Sequence, residues 1–270
     1  MSATMLVGGL DIGSATGKAV VLADGEIVAS HVVQSSANPR KTADLVMDKA
    51  IAEAGLASVD DLGYIVSTGY GRLRIPYANE NVSEITCHAK GAHWMAPSVR
   101  TVVDIGGQDC KVISISAEGR VLEFAMNDRC AAGTGRFFEG MARALCCGLE
   151  GISAPENQGS EPCTISHQCT VFAESEVVTL VNEGTDLKDI IAGINRSVAS
   201  RLSSMARRVG LVPEVALTGG CSKNQGLAKA LEAKLGVEVL TLRYDPQIAG
   251  AVGAALFANE KLGALEASLG

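Results

Sequence analysis

Two short stretches each set one cysteine just ahead of a helix-like pattern. They are Asn127-Asp128-Arg129-Cys130-Ala131-Ala132-Gly133-Thr134-Gly135-Arg136-Phe137 and Cys169-Thr170-Val171-Phe172-Ala173-Glu174-Ser175-Glu176-Val177. After Cys130, Phe137, Phe138, Met141 and Leu145 recur at spacings of three and four; after Cys169, Val171, Phe172, Val177, Val178 and Val181 do roughly the same. A thiolate at a helix N-terminus is stabilised by the helix dipole and the free backbone N–H groups, and an anionic metal–sulfur cluster would be favoured there for the same reason. An iron–sulfur cluster usually takes four cysteines. One chain offers two such positions, so a twofold dimer would have to supply the rest. No CxxC occurs among the eight cysteines, which removes the simplest zinc, thioredoxin and ferredoxin readings. Cys110, Cys146, Cys147 and Cys221 read as small buried apolar residues, Cys146 and Cys147 diverging on a presumed helix. Cys87 and Cys163 receive no role.

A second set of residues suits phosphate. Val7 to Leu22 runs as an apolar strand, the turn Asp11-Ile12-Gly13-Ser14-Ala15-Thr16-Gly17-Lys18, and a second apolar strand. Glycines let backbone N–H groups approach a phosphate, Ser14 and Thr16 can donate hydrogen bonds, and Lys18 adds charge. The spacing is not that of a Walker A loop, and a strand follows rather than a helix. Read alone, this is an ordinary tight hairpin. The outline returns at Thr101 to Ile115, with Asp104-Ile105-Gly106-Gly107-Gln108-Asp109-Cys110-Lys111 at its turn. The interval is too long for a solenoid repeat and suits a duplicated domain. Two such hairpins facing each other would clamp a phosphate chain, and Asp11 and Asp104 could hold a hydrated magnesium ion. A third glycine site, Leu217-Thr218-Gly219-Gly220-Cys221, lies at a strand-to-helix turn and suits a flat or anionic ligand.

The elements that position these residues follow from pattern. Asp24-Gly25 and Glu118-Gly119 are hairpin turns leading to third strands at Glu26 to Val33 and Val121 to Ala125. Helices are expected over Thr42 to Leu56, Glu84 to Ala96, Leu187 to Leu211, Gln225 to Leu235 and Ile248 to Asn259, and short strands over Tyr64 to Ser67 and Val237 to Leu240. Asp245-Pro246-Gln247 leads into the last helix. Cys87 and His88 are adjacent and cannot face one site from a regular helix, so no metal is expected there. The arginines of the long helix read as solvated, and Gly151 to Ser166 as the least structured part, joining the two cysteine helices.

At 270 residues the chain can bury a large core. A net charge of -7 and few aromatics argue against a general nucleic-acid binder. The longest apolar run, near Ile248 to Ala258, is too short for a membrane span, and no signal peptide is evident. Cysteines in a chain of this kind are reduced thiols or metal ligands rather than a disulfide framework. A cytoplasmic protein is expected.

Asp11-Ile-Gly-Ser, Asp104-Ile-Gly-Gly-Gln and Leu217-Thr-Gly-Gly resemble the two phosphate motifs and the adenosine motif of the actin–hexokinase–sugar kinase superfamily. The two cysteine stretches, with Ser67-Thr-Gly-Tyr-Gly-Arg and Ile191-Ala-Gly-Ile-Asn-Arg-Ser-Val-Ala, resemble the ATP-dependent activator component of 2-hydroxyacyl-CoA dehydratases. Benzoyl-CoA reductase ATPase subunits and reductases of double-cubane cluster proteins share these motifs. The resemblance implies a duplicated actin-like, ribonuclease H-like α/β fold. Its lobes would span residues 1–97 and 98–270, with the option that the last helix packs back on the first lobe. It further implies a homodimer with one [4Fe-4S] cluster on Cys130 and Cys169 of both chains, and ATP or ADP with Mg2+ in each chain. Gly13, Ser14, Ala15, Thr16, Lys18, Gly106, Gly107, Gly133, Gly135, Gly219, Gly220 and Gln247 would bind nucleotide or cluster, while Asp11, Asp104 and Gln108 would act in hydrolysis. The implied partners are an iron–sulfur dehydratase or reductase as electron acceptor and ferredoxin or flavodoxin as donor. A small-molecule kinase would need an aspartate base toward a hydroxyl, and the second half has no good candidate loop for one. A non-catalytic ATP-dependent scaffold would leave the cysteines merely structural.

Overall fold

Near-continuous apolar runs form the central strands. β1 (Leu6–Ile12) and β2 (Thr16–Ala23) are buried along almost their whole length, the pattern of strands covered on both faces. The computed structural model describes residues 5–269. They fall into two compact units, one of the described residues up to Pro97, Ala117–Val121 and those from Leu242 on, the other of Ser98–Ser116 and Leu122–Thr241.

In the first unit β3 (Glu26–Gln34) follows, then α1 (Pro39–Glu53), β4 (Tyr64–Thr68), β5 (Glu80–Asn81) and α2 (Glu84–Met95). The sheet order is β3-β2-β1-β4-β5, β1 and β2 being antiparallel and β1 and β4 parallel. α1 starts earlier than its apolar periodicity suggests. Asn38 caps it by accepting from Arg40 and Lys41 N–H, and Pro39 occupies the first turn, where its missing N–H costs nothing. α1 packs on β2 and β3 over a core of Leu10, Ile12, Val21, Val46, Met47 and Ile65.

The C-terminal helix of the chain, numbered α8 below, spans Ala249–Leu269 and packs on α2, β1 and β4. Its small residues permit backbone contact: a Cβ on Gly253 would collide with the Cys87 carbonyl, and one on Gly91 with the Ala249 carbonyl. Among the described residues it is the one helix, with the turn before it (Pro246–Ser268), long and apolar enough to cross a membrane, and half of that stretch is buried within the fold. The sequence reading excludes such a span because the apolar run near Ile248 to Ala258 is too short.

The second unit repeats the plan. β6 (Thr101–Ile105), β7 (Cys110–Ile115) and β8 (Val121–Asn127) are followed by α3 (Gly135–Ala144), α4 (Leu149–Ser153), α5 (Thr170–Asn182), α6 (Leu187–Arg208), β9 (Val215–Thr218), α7 (Gln225–Leu235) and β10 (Val239–Leu240). The sheet order is β10-β9-β6-β7-β8. Here β6 and β7 are antiparallel and β6 and β9 parallel, which matches β1, β2 and β4. Phe137, Phe138 and Met141 of α3 join Ile190, Ile194, Val198 and Leu202 of α6 in its core.

Two local expectations are corrected. Residues Gly151 to Ser166 are not featureless: α4 and a 3-10 turn at Pro155–Asn157 occupy their start. Asn157 donates to the Gly151 carbonyl, Gln158 to those of Ile152 and Ala154, and Asn195 of α6 to that of Ile152. Cys146 and Cys147 lie beyond the C-cap of α3, not on a helix; Cys146 is exposed and takes a left-handed conformation (φ 51°).

Candidate functional site

Each unit presents the same three-strand constellation. In the first, Asp11 at the end of β1 is opposite Lys18 on β2 and Thr68 on β4. In the second, Asp104 at the end of β6 is opposite Lys111 on β7 and Thr218 on β9. Both aspartates are buried, and each has a lysine: Lys18 Nζ lies 3.0 Å from Asp11 Oδ2, and Lys111 Nζ 3.3 Å from Asp104 Oδ2. Thr218 Oγ1 donates to Asp104 Oδ1 at 2.9 Å.

A glycine with positive φ follows the threonine in each unit, Gly69 (84°) and Gly219 (81°). A Cβ on Gly69 would lie 2.5 Å from Asp11 Oδ1, and one on Gly219 2.8 Å from Asp104 Oδ1. The glycines therefore serve twice, in conformation and in close approach to the carboxylate. Gly250 approaches Asp11 as closely, 2.9 Å from Oδ2 by the same measure.

Sequence reasoning passed over three side chains here. Asp109 is buried and 2.5 Å from Lys111 Nζ, so that pocket holds two carboxylates against one ammonium. His88, buried on α2, places Nε2 4.0 Å from Asp11 Oδ2. Thr68 was read only as part of a loop motif. The repeated Thr-Gly after a strand (Thr68-Gly69, Thr218-Gly219) was the signal available.

The remaining nucleotide candidates lie in turns. Gly13 to Thr16 close the β1–β2 hairpin, Gly13 N–H donating to the Thr16 carbonyl. Ser35 braces the turn through the Gly13 carbonyl. Gly106 and Gly107 begin the corresponding turn, where Gln108 is exposed. Gly219 is buried and Gly220 exposed, and the 3-10 turn Gly220–Lys223 ends at Asn224, which caps α7. Gln247 sits in the 3-10 turn Pro246–Ile248 of the first unit.

The two cysteine segments converge in the second unit. Cys130 Sγ lies 3.3 Å from the carbonyl of Gln168, the residue before Cys169. Cys169 is the N-cap of α5, whereas Cys130 precedes α3 by a short loop whose N-cap is Thr134. Both are half-buried. Two arginines of α6 depart from the expectation of solvated side chains, while Arg207 and Arg208 are exposed: Arg196 donates to the Cys163 carbonyl, and Arg201 to the His167 carbonyl at 2.8 Å. They fasten the segment that ends at Cys169.

Burial pushes the thiols of Cys87 and Cys221 up to about 12 and that of Cys110 to about 11, and raises Cys147 and Cys163 as well. Buried protonated thiols are poor metal ligands. Among the described residues no three His, Cys, Asp or Glu side chains are gathered as a metal site. Two neighbouring cysteines at the start of helical segments fit half of a four-cysteine cluster, and a second chain would be needed to complete it. α5 beside them exposes Val171, Phe172, Val178 and Val181.

Two α/β units, each built on an antiparallel hairpin with a parallel strand beside it and a buried aspartate at its turn, define an actin-like nucleotide-hydrolase fold. The BadF/BadG/BcrA/BcrD ATPase family pattern matches residues 9–258, and the chain belongs to that family. It is 45% identical over 256 residues to the activator of lactoyl-CoA dehydratase from Anaerotignum propionicum, covering 93% of this chain and 96% of that protein. The solved structure of the activator of 2-hydroxyisocaproyl-CoA dehydratase from Clostridium difficile, with bound ADPNP, superposes with a TM-score of 0.92 at 39% identity over 98% of both chains. That of (R)-2-hydroxyglutaryl-CoA dehydratase component A from Acidaminococcus fermentans gives 0.91 at 42% identity over 96% of this chain and 99% of that one.

Proposed function

We propose that this ATPase is the activator of a 2-hydroxyacyl-CoA dehydratase, passing single electrons to that enzyme from a cluster shared by two copies of the chain. The observation that carries the reading is the convergence of Cys130 and Cys169, beside an exposed apolar helix face, in a fold with duplicated buried aspartates. The kinship to dehydratase activators supports the same reading.

In this reading Gly13, Ser14, Ala15, Thr16 and Lys18, with Gly106 and Gly107, receive the phosphates through backbone N–H, hydroxyl and ammonium donors. Asp11 and Asp104, buried carboxylates balanced by lysine, would orient hydrated Mg2+ or water. Exposed Gln108 positions the attacking water. Gly219, Gly220 and Gln247 border the adenosine. Cys130 and Cys169 of each copy hold one [4Fe-4S] cluster, Gly133 and Gly135 keeping the backbone close to it. Bound there, the cluster would supply one-electron transfer to an iron–sulfur centre of the dehydratase, with ferredoxin or flavodoxin as the electron donor. The protein is cytoplasmic and works without oxygen.

Anaerobic purification is expected to give about four irons per dimer, and Cys130→Ala or Cys169→Ala to abolish them. A full iron complement in either variant would overturn the assignment. A colourless wild-type protein that phosphorylates a metabolite would favour a kinase instead.

A further inference from the structure

We propose that Asn127 is the positioning residue through which the β6–β7 turn sets the place of Cys130. The inference rests on the reading that Cys130 is a cluster ligand, and names the device linking it to the nucleotide end of the unit.

Asn127 is the last residue of β8. Its Nδ2 donates to the Cys130 carbonyl at 2.8 Å and to the Ala132 carbonyl at 3.2 Å, and lies 3.9 Å from Sγ of Cys110. Cys110 is the first residue of β7, immediately after the turn. The far end of the loop is fastened to the same turn: Gly135 N–H donates to the Gly106 carbonyl and Arg136 N–H to that of Gly107, both at 2.9 Å. Gly106 and Gly107 are the residues placed against phosphate above.

Residues 127–136 thus form a loop attached at both ends to one hairpin, with Cys130 inside it. Gly133, at φ 88°, folds the loop against Arg201, where a Cβ would lie 2.9 Å from Cδ. Arg201 also holds the His167 carbonyl, two residues before Cys169. A displacement of the Gly106–Gly107 turn therefore reaches the Cys130 carbonyl through bonds already formed, and the Cys169 segment through Arg201. A side-chain amide, which donates twice, can serve both carbonyls; a carboxylate of the same shape cannot.

Hydrogen exchange of the full-length, iron-loaded protein, in ADP and in a non-hydrolysable ATP analogue, tests this. In the wild type, exchange at residues 128–136 is expected to change with nucleotide by about fivefold or more, the lower range of allosteric coupling. Asn127→Asp is expected to keep its iron and its nucleotide response at residues 106–109, while the response at 128–136 disappears. An undiminished response at 128–136 would overturn the proposal. If Asn127→Asp loses iron, Asn127→Ser carries the test: its single, shorter hydroxyl donor cannot serve both the Cys130 and the Ala132 carbonyls. A retained nucleotide response at 128–136 in that variant would overturn the proposal, and its loss would support it. Failure of the underlying reading shows differently, as an iron content unchanged by Cys130→Ala.

Discussion

Lys111 is fully buried between Asp104 and Asp109. Removing one partner of a buried ionic group leaves uncompensated charge and typically costs about 3–5 kcal/mol. Lys111→Ala is therefore expected to lower the thermal midpoint markedly, by several degrees or more in calorimetry; an unchanged midpoint would show that the carboxylates are stabilised otherwise. The buried thiols make a second residue-scale prediction. Cys87, Cys110 and Cys221 have folded-state values raised by desolvation to about 12, 11 and 12. A raised thiol value means that the folded form keeps its proton longer. Its stability contribution is whole below the unfolded value near 9 and is lost as pH climbs towards 11–12, at up to about 1.4 kcal/mol per pH unit per thiol. Denaturant titrations from pH 8 to 11 are expected to show this loss, and Cys87→Ala to flatten it. The aspartates and Lys18 were legible because a glycine-flanked hairpin occurs twice. His88 and Asp109 were not, since what distinguishes them is burial against another charge, which spacing along the chain does not encode.

Among the turns, Gly219 and Gly210 allow a controlled comparison. Both have positive φ, 81° and 75°, but a Cβ on Gly219 meets the Ile105 carbonyl and Asp104 while one on Gly210 meets nothing within 4 Å. Gly210→Ala is expected to cost about 1 kcal/mol from backbone strain alone. Gly219→Ala should cost clearly more and also weaken ATP-analogue binding in calorimetry. Equal costs would mean that the close approach to Asp104 is unimportant. The helices of the core were readable from their periodicity, α7 to the residue. α5 was legible as a helix, but not the surroundings of its apolar residues: of its valines and Phe172 at helical spacing only Val177 is buried, with Ala173. Periodicity reports an apolar face without saying whether the chain's own core covers it. The loop after α3 was missed for the opposite reason, because side-chain amides rather than apolar residues order it.

For the whole molecule, the uncovered face of α5 adjoins Cys130 and Cys169, the proposed cluster ligands. Phe172→Glu and Val178→Glu change residues that are 67% and 44% exposed, so each chain is expected to fold normally. The pair is expected to sediment as a monomer without iron, and the wild type as an iron-bearing dimer. A double variant that stays dimeric with full iron would remove α5 from the interface. The fold class was already plain in the sequence, because two apolar hairpins with glycine turns recur in order and near-continuous apolar strands belong to covered sheets. The family resemblance rested on local strings of residues, which survive as strings.

The sequence by itself determined the duplicated α/β fold, through recurring apolar hairpins, and the family, through the resemblance of local strings; the two cysteine segments it singled out as candidates for a joint site. Only the tertiary structure decided how those segments are held. Arg196 and Arg201 turn out to grip carbonyls of the Cys169 segment, and Asn127 and Gly135 tie the Cys130 loop to the Gly106–Gly107 turn. These are side-chain-to-backbone and backbone contacts between residues far apart or off-period. Their energy depends on where a carbonyl points, and a carbonyl's direction is fixed by the folded chain and not by the identity of the residue that bears it.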